Sequence, residues 1–192
     1  MRHVAFAAAL AASAPALAGI VSISNGGIFH EPPPANIGLP NNSQASVVQG
    51  FNEVQNLVLA AGLNVYDPNI PGFTALPAGT VVSSHMLVFD PVQTASGDAD
   101  ITFDGNIIGI IFQDLPLFQT HGLLGRPGVS YPGSNVSAYG FESTESILLI
   151  APNVLRFHAE ASSPGDRFRV LTPAPASLFP ILGGVLFLRR RR

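Results

Sequence analysis

The densest group of oxygen ligands in the sequence consists of Asp98, Asp100, Asp104 and Asn106. Calcium prefers several hard oxygens carried by flexible loops, so the three aspartates are candidate calcium ligands. Their spacing differs from that of an EF-hand, and the strand-like residues 101–103 separate the later ligands from the earlier ones. Turn and strand-edge roles are therefore favoured, and we predict no required cofactor.

Histidine is the other residue type that could bind a metal or transfer protons. His30, His85, His121 and His158 are widely spaced, and none belongs to a His-x-His or His-Glu-x-x-His pattern. We therefore interpret them as polar strand positions. The chain has no cysteine, which excludes a disulfide framework and cysteine-based catalysis.

Two further sets of residues keep other functions open. Glu142 and Glu145 could form the carboxylate pair of a glycosidase, although their simpler role is to solubilise the loop before the next strand. Glycan-binding surfaces depend on amphipathic rings, and the chain offers tyrosines but no tryptophan. An extracellular hydrolase and a secreted glycan-binding module, with Tyr131 and Tyr139 as its rings, are the alternatives to a non-enzymatic protein.

Short apolar or alternating runs, separated by turn residues, make up the body of the chain. We predict strands at 54–59, 80–89, 99–103, 107–112, 146–150, 154–159 and 167–171. No run has a clear 3.6-residue period, although 49–60 fits a short helix as well as a strand. Several short strands with turns between them indicate an all-β fold, an antiparallel β-sandwich or jelly roll.

Turn residues and alternation give finer predictions. Asp104-Gly105-Asn106 lies between two β-rich runs and predicts a hairpin, and Pro152-Asn153 predicts a second tight turn. Near the end of the body, Arg167 and Arg169 alternate with apolar residues. A period of two places one set in the core and the other in water, so we expect both arginines on a solvated face.

The body is acidic. Five of the nine basic residues, Arg2 and Arg189–Arg192, lie at the ends, and the chain has no lysine. The body therefore keeps four arginines against all 12 acidic residues, a net charge of −8. Such a body repels nucleic acid, and we predict no nucleic-acid partner.

The first 18 residues have the layout of a secretory signal peptide. A basic start precedes an apolar run over residues 4–17, and Ala16 and Ala18 are the small residues that a signal peptidase reads. We predict cleavage between Ala18 and Gly19, with signal peptidase as a partner. A buried N-terminal helix is the alternative, and Pro15 argues against it because it interrupts the run.

The last 20 residues have three parts. Pro173-Ala174-Pro175-Ala176-Ser177 precedes an apolar run at 178–188, and Arg189-Arg190-Arg191-Arg192 ends the chain. The apolar run spans about 16 Å as a helix, and counting back to residue 170 gives a length that crosses a bilayer. The arginines would stay on the cytoplasmic side as a membrane stop. An ordinary tail anchor and a buried C-terminal strand are the alternatives.

This C-terminal end resembles the PEP-CTERM sorting signal of Gram-negative bacteria. The matching residues are the 173–177 motif, with Ala174 where the family usually has Glu, the Gly183-Gly184 apolar segment and the arginine tail. The resemblance implies recognition and processing by an exosortase-like membrane enzyme. The body more loosely resembles uncharacterised secreted proteins with this signal, on residues 77–85, 102–109 and 161–166.

Together these features predict four segments. They are a signal peptide at 1–18, which is helical, an extended linker at 19–46, a β-sandwich domain at 47–172, and a PEP-CTERM-like signal with a membrane helix at 173–192. We expect a non-enzymatic exported protein that is transiently anchored in the inner membrane and then reaches the envelope or extracellular matrix. Exopolysaccharide is a further expected partner.

Overall fold

The computed structural model describes residues 18–38, 45–133, 139–141, 144–161 and 165–174, and within them the fold is mostly β. The strands are β1 Ile20–Ile23, β2 Ile28–Phe29, β3 Ala45–Asn52, β4 Leu57–Val58, β5 Leu63–Asp67, β6 Gly72–Leu76, β7 Val81–Asp90, β8 Ala95–Phe103, β9 Gly109–Ile111, β10 Ser146–Ala151, β11 Val154–Ala161 and β12 Asp166–Pro173. The helix of the described residues is α1, Asp114–Leu124.

The strands form two sheets that face each other. The smaller sheet has the order β1-β8-β11-β10, and the larger sheet has the order β2-β3-β7-β12-β9-β5-β6, with β4 also paired to β7. Almost all pairs are antiparallel, and β2 pairs with β3 in parallel. This arrangement confirms the predicted two-sheet, mainly antiparallel β architecture.

Alternate residues of the central strands fill the space between the sheets. Phe157 of β11 and Phe168 of β12 are fully buried, and their ring centroids are 4.7 Å apart. Phe141 stacks on Phe157 at 5.1 Å. Full burial of a Phe side chain contributes roughly 1.5–3 kcal/mol, so such rings are a large part of what stabilises a fold without disulfides.

A further layer covers the opposite face of the larger sheet. Leu117 and Leu124 of α1 pack against Val82 of β7 and Leu171 of β12. Because β7 is covered on both faces, nine of its ten residues are buried.

That layer corrects the prediction for the two arginines of β12. Arg167 is 2% exposed and Arg169 is 0% exposed. The predicted alternation is correct, because Phe168 and Val170 face the other sheet. The predicted solvation of the arginines is wrong because α1 and the segment around Tyr131 cover that side of the sheet.

Two predicted connections have different outcomes. The turn at Pro152-Asn153 joins β10 to β11 and is confirmed. Asp104-Gly105-Asn106 does not close a hairpin, because β8 belongs to the smaller sheet and β9 to the larger one. These residues instead carry the chain from one sheet to the other.

The segment predicted as a linker, 19–46, is also corrected where it is described. Its residues form β1 in the smaller sheet and β2 and the start of β3 in the larger sheet. The run at 49–60 forms the end of β3 and the short strand β4 rather than a helix. Gly26, with a φ of +75°, lies in the turn that joins β1 to β2, where the N–H of Gly27 donates to the Ser24 carbonyl at 3.0 Å.

The predicted signal helix and membrane helix fall mainly on residues 1–17 and 175–192, which lie outside the described residues. Among the residues that the structure does describe, no helix is both long enough and apolar enough to cross a bilayer.

Candidate functional site

Both ends of the folded body meet at one turn. The N–H of Gly19 donates to Asp104 Oδ1 at 2.8 Å, and the N–H of Asp104 donates to the Gly19 carbonyl at 3.1 Å. At the other end of the chain, Thr172 and Pro173 lie against Gly105, where an added Cβ would be 3.4 Å from Thr172 Cβ and 3.7 Å from the Pro173 carbonyl oxygen. The connection between the sheets therefore contacts both the entry and the exit of the body.

A buried histidine links the same two ends. Asn52 Oδ1 accepts the N–H of Ile20 at 3.1 Å and lies 2.8 Å from His85 Nδ1, while His85 Nε2 lies 3.0 Å from Thr172 Oγ1. Since Asn52 Oδ1 is an acceptor, Nδ1 donates to it, and Nε2 accepts the hydroxyl proton of Thr172. We call this group the terminal corner, defined by Gly19, Asn52, His85, Asp104 and Thr172.

A neutral imidazole satisfies both contacts of His85. Burial lowers the pKa of His85 to about 3, which keeps the ring neutral at physiological pH. His85 is a strand position, as predicted, but its role is to join β3 to β12 inside the core. His121, in contrast, lies in α1 and not in a strand.

A second polar cluster lies between the larger sheet and α1. Arg169 donates from Nε to Glu53 Oε2 at 2.5 Å and from Nη2 to Glu53 Oε1 at 2.9 Å, and neither side chain has exposed surface. Arg169 Nη1 also donates to Thr120 Oγ1 at 2.6 Å, and Ser84 Oγ donates to Glu53 Oε2 at 2.7 Å. Two parallel hydrogen bonds and additional donors provide the geometry that best compensates a buried ion pair for its lost hydration.

Two rings complete this cluster. The Tyr131 hydroxyl donates to Glu53 Oε1 at 2.7 Å, and burial together with the Glu53 carboxylate raises the pKa of Tyr131. The His121 ring stacks on Tyr131 with centroids 4.6 Å apart. Burial, with the positive charge of Arg169, lowers the pKa of His121 to about 3. Neither ring is thus poised to exchange protons near neutral pH, and the cluster serves to hold α1 on the sheet.

The three predicted calcium ligands have separate protein partners. Asp98 Oδ1 lies 2.8 Å from Nδ1 of His158, and Asp100 accepts two bonds from Arg156, at 2.7 and 2.8 Å, which lower the pKa of Asp100. Asp104 belongs to the terminal corner. In the parts of the chain that the structure describes, no three His, Asp or Glu side chains are grouped so that they could hold a metal ion.

The tyrosines of the predicted glycan-binding module and Glu145 of the predicted hydrolase lie in other surroundings than we expected. Tyr131 is packed in the buried cluster, and the Tyr139 ring lies under the Arg167 guanidinium at 4.3 Å, so neither is an open platform. Glu145 is 9% exposed, and the prediction that it solubilises its loop is wrong. Glu142 lies outside the described residues, which leaves the carboxylate pair as a prediction.

An uncharged groove of about 400 Å³ lies at one edge of the larger sheet. Its lining comes from β5, β6, β9 and the start of α1 and includes Asn64, Phe73, Thr74, Ile110, Phe112 and Gln113. Phe73 is 62% exposed, and its ring lies 6.1 Å from that of Phe112. The sequence gives little sign of the groove, because its walls come from separate strands. An aromatic residue in the short run 72–76 is the one local signal.

The sorting motif begins inside the fold. Pro173 ends β12, and the N–H of Ala174 donates to the Val81 carbonyl at 3.2 Å. Outside the described residues lie Pro175-Ala176-Ser177, Arg189-Arg190-Arg191-Arg192 and Ala16. Val170 and Leu171 are buried in β12, so a membrane segment counted back to residue 170 conflicts with the fold. Any such segment starts after Pro173.

Comparison with known protein families, with curated proteins and with solved structures finds no match. The class is therefore defined by the fold: a mainly antiparallel two-sheet β protein whose larger sheet carries a helix on its outer face.

Proposed function

We propose that this chain is an exported, non-enzymatic protein of the cell envelope or extracellular matrix, sorted through its PEP-CTERM-like end. The observation that carries the proposal is the terminal corner. The predicted signal peptide ends one residue before Gly19, and the sorting motif starts at Pro173. Gly19 and Pro173 both lie against the Asp104-Gly105 turn. Both predicted membrane-directed segments therefore adjoin one corner of the body, and the sorting segment can reach the bilayer without unfolding the body.

The charge distribution supports the same topology. Arg167 and Arg169 are buried, and Arg156 is bound by Asp100, so the outer surface of the body keeps its acidic character. An acidic surface is repelled by anionic headgroups, which leaves membrane contact to the two ends. The body can then stand clear of the membrane until it is released.

Processing in a Gram-negative host that carries an exosortase tests this proposal. We expect pulse-chase mass measurement to show a mature form that begins at Gly19 and has lost residues 178–192. A variant with Ala18→Leu, which places a large side chain at the predicted cut, should accumulate as the uncut precursor. A surface-located form that still ends at Arg192, or a full-length protein that stays in the cytoplasm, would contradict the proposal.

The groove favours glycan binding as a second candidate function. An exposed Phe73 ring offers an apolar face for a sugar ring, and the amides of Asn64 and Gln113 offer donors and acceptors at the same site. Because none of the residues that line the groove is charged, the expected ligand is a neutral polysaccharide rather than an anionic one.

Affinity electrophoresis against a panel of neutral exopolysaccharides tests this candidate. We expect Phe73→Ala to weaken retention roughly tenfold or more, since aromatic groups dominate such contacts. Leu148→Ala is the matched control, because Leu148 is 59% exposed on the other sheet and should leave retention unchanged. Absence of retention for the unmodified protein, or equal retention in both variants, would exclude the groove as a glycan site.

A further inference from the structure

We infer that removal of residues 1–18 creates an ion pair between the new α-ammonium group of Gly19 and the Asp104 carboxylate, so that processing itself stabilises the body. This inference rests on the proposed export, and it adds a role for Asp104 that the sequence did not suggest. The two atoms of the pair are already in place, because Gly19 N lies 2.8 Å from Asp104 Oδ1.

Cleavage changes the charge at this position. In the uncut chain, the Gly19 nitrogen is an amide that donates one hydrogen to Asp104. After the cut it becomes an ammonium group, and a hydrogen bond in which only the acceptor is charged becomes an ion pair in which both partners are charged. The reciprocal bond, from the Asp104 N–H to the Gly19 carbonyl at 3.1 Å, keeps the two residues in register.

The surroundings leave this ion pair as the main charge interaction at the terminal corner. Besides Asp104, Asn52 has its side chain beside Gly19, and its Nδ2 would lie 3.3 Å from a Cβ added there. Behind Asn52, His85 is buried and neutral, so it neither competes for the carboxylate nor repels the ammonium group. Among the described residues that form this corner, Asp104 and His85 are the titratable ones.

The same geometry sets the order of events. Ala18, which precedes the cut, is only 1% exposed, and the next two N–H groups are bound by Asp104 and Asn52. A signal peptidase needs an accessible, extended site, so the cut has to precede folding of this corner. Once the chain is cut and folded, the ion pair secures β1 to the connection between the two sheets.

The absence of lysine makes the test specific. An amine-acetylating reagent modifies a chain that begins at Gly19 at its α-amino group, since lysine, the other common target, does not occur. Acetylation keeps an N–H on the Gly19 nitrogen, removes the positive charge and adds a carbonyl and a methyl group where the buried Ala18 lies in the uncut chain. The part of the effect that depends on the Asp104 carboxylate therefore belongs to the ion pair.

We expect acetylation of the chain from Gly19 to Arg192, held in detergent micelles, to lower the Tm by roughly 2–4 °C at pH 6.5. An α-amino group has an ordinary pKa of about 7.7–8.0, and the ion pair raises it. Its stabilisation is therefore complete below about pH 7 and is lost as the pH rises through the raised value. At pH 10.5 the two forms should have the same Tm.

Two variants make the result decisive. In Asp104→Asn the acetylation effect should disappear, whereas in Glu160→Gln, which removes one acidic charge from an exposed position, it should persist. Loss of the effect in both variants, or an equal Tm for the two forms of the unmodified sequence, would overturn the inference.

The chain is prepared with Gly19 as its first residue, so this result is independent of export. A mature N-terminus other than Gly19 in the host would overturn the inference and leave export standing.

Discussion

Replacing Arg169 with methionine lowers the free energy of unfolding by about 3–5 kcal/mol. The substitution removes the cation from a pair whose two side chains have no exposed surface and leaves the Glu53 carboxylate buried. Tyr131 and Ser84 still donate to that carboxylate, but neutral donors do not compensate a full charge. Urea denaturation followed by circular dichroism measures the loss as a lower midpoint.

Two further variants separate this effect from a simple loss of packing. The double variant Glu53→Leu with Arg169→Met removes both charges, and we expect it to recover most of the loss, because apolar replacements of whole buried pairs are often neutral or stabilising. Arg156→Met breaks the exposed pair with Asp100 and should cost at most about 1 kcal/mol. If Arg169→Met lowers the free energy of unfolding no more than Arg156→Met does, the cluster under α1 is solvated. In that case α1 does not cover this face of the larger sheet.

Several strands of the body, among them β7, β10, β11 and β12, could be predicted because their signal is local, whereas β5 and β6 were not predicted. Alternation in β11 and β12 follows from the pleat, which puts successive side chains on opposite faces whatever the rest of the fold does. The same rule cannot say whether the second face meets water or another layer. Arg167 and Arg169 show this limit. The prediction places them correctly on the face opposite the inner face, but that face is buried and not solvated.

The helix that covers them has a weak sequence signal. Its buried residues are Leu117, Thr120 and Leu124, so a polar residue interrupts the apolar stripe that would reveal an amphipathic helix. Asp114 in the first turn and the glycine after Leu124 are typical of helix ends, yet such residues are equally common in turns. Thr120 is buried because it binds Arg169, a partner that only the tertiary structure supplies.

The terminal corner is harder still to predict from a single sequence. Its hydrogen bonds join Asn52, His85 and Thr172 across three strands, and their register depends on which strands are neighbours. Asp104-Gly105-Asn106 predicted a hairpin because local turn chemistry does not reveal that the next strand belongs to the other sheet. One signal was present: His85 lies between two apolar runs of one strand, 81–82 and 86–89.

Lowering the pH from 7 to 5 should destabilise the body, and His85 accounts for about 2 kcal/mol of the loss. Burial lowers the pKa of His85 from 6.5 to about 3, so between these values the unfolded chain binds a proton that the folded chain does not. The contribution of His85 is thus complete above pH 6.5 and decreases as the pH falls toward 3. His121, with its pKa also lowered to about 3, acts in the same direction.

Urea denaturation at several pH values between 7 and 5 separates the two histidines. His85→Gln should make the pH dependence shallower, His121→Gln should do so to a smaller extent because its ring is less buried, and His158→Gln should retain the contribution of His85. An unchanged slope in His85→Gln would mean that the ring is protonated in the folded protein.

Because His85 holds Ile20 through Asn52 on one side and Thr172 on the other, acid should open the body first where its two ends leave it. The protection factor of the Ile20 amide, which corrects for the pH dependence of intrinsic exchange, should therefore fall at a higher pH than the protection factors of amides in the centre of β11.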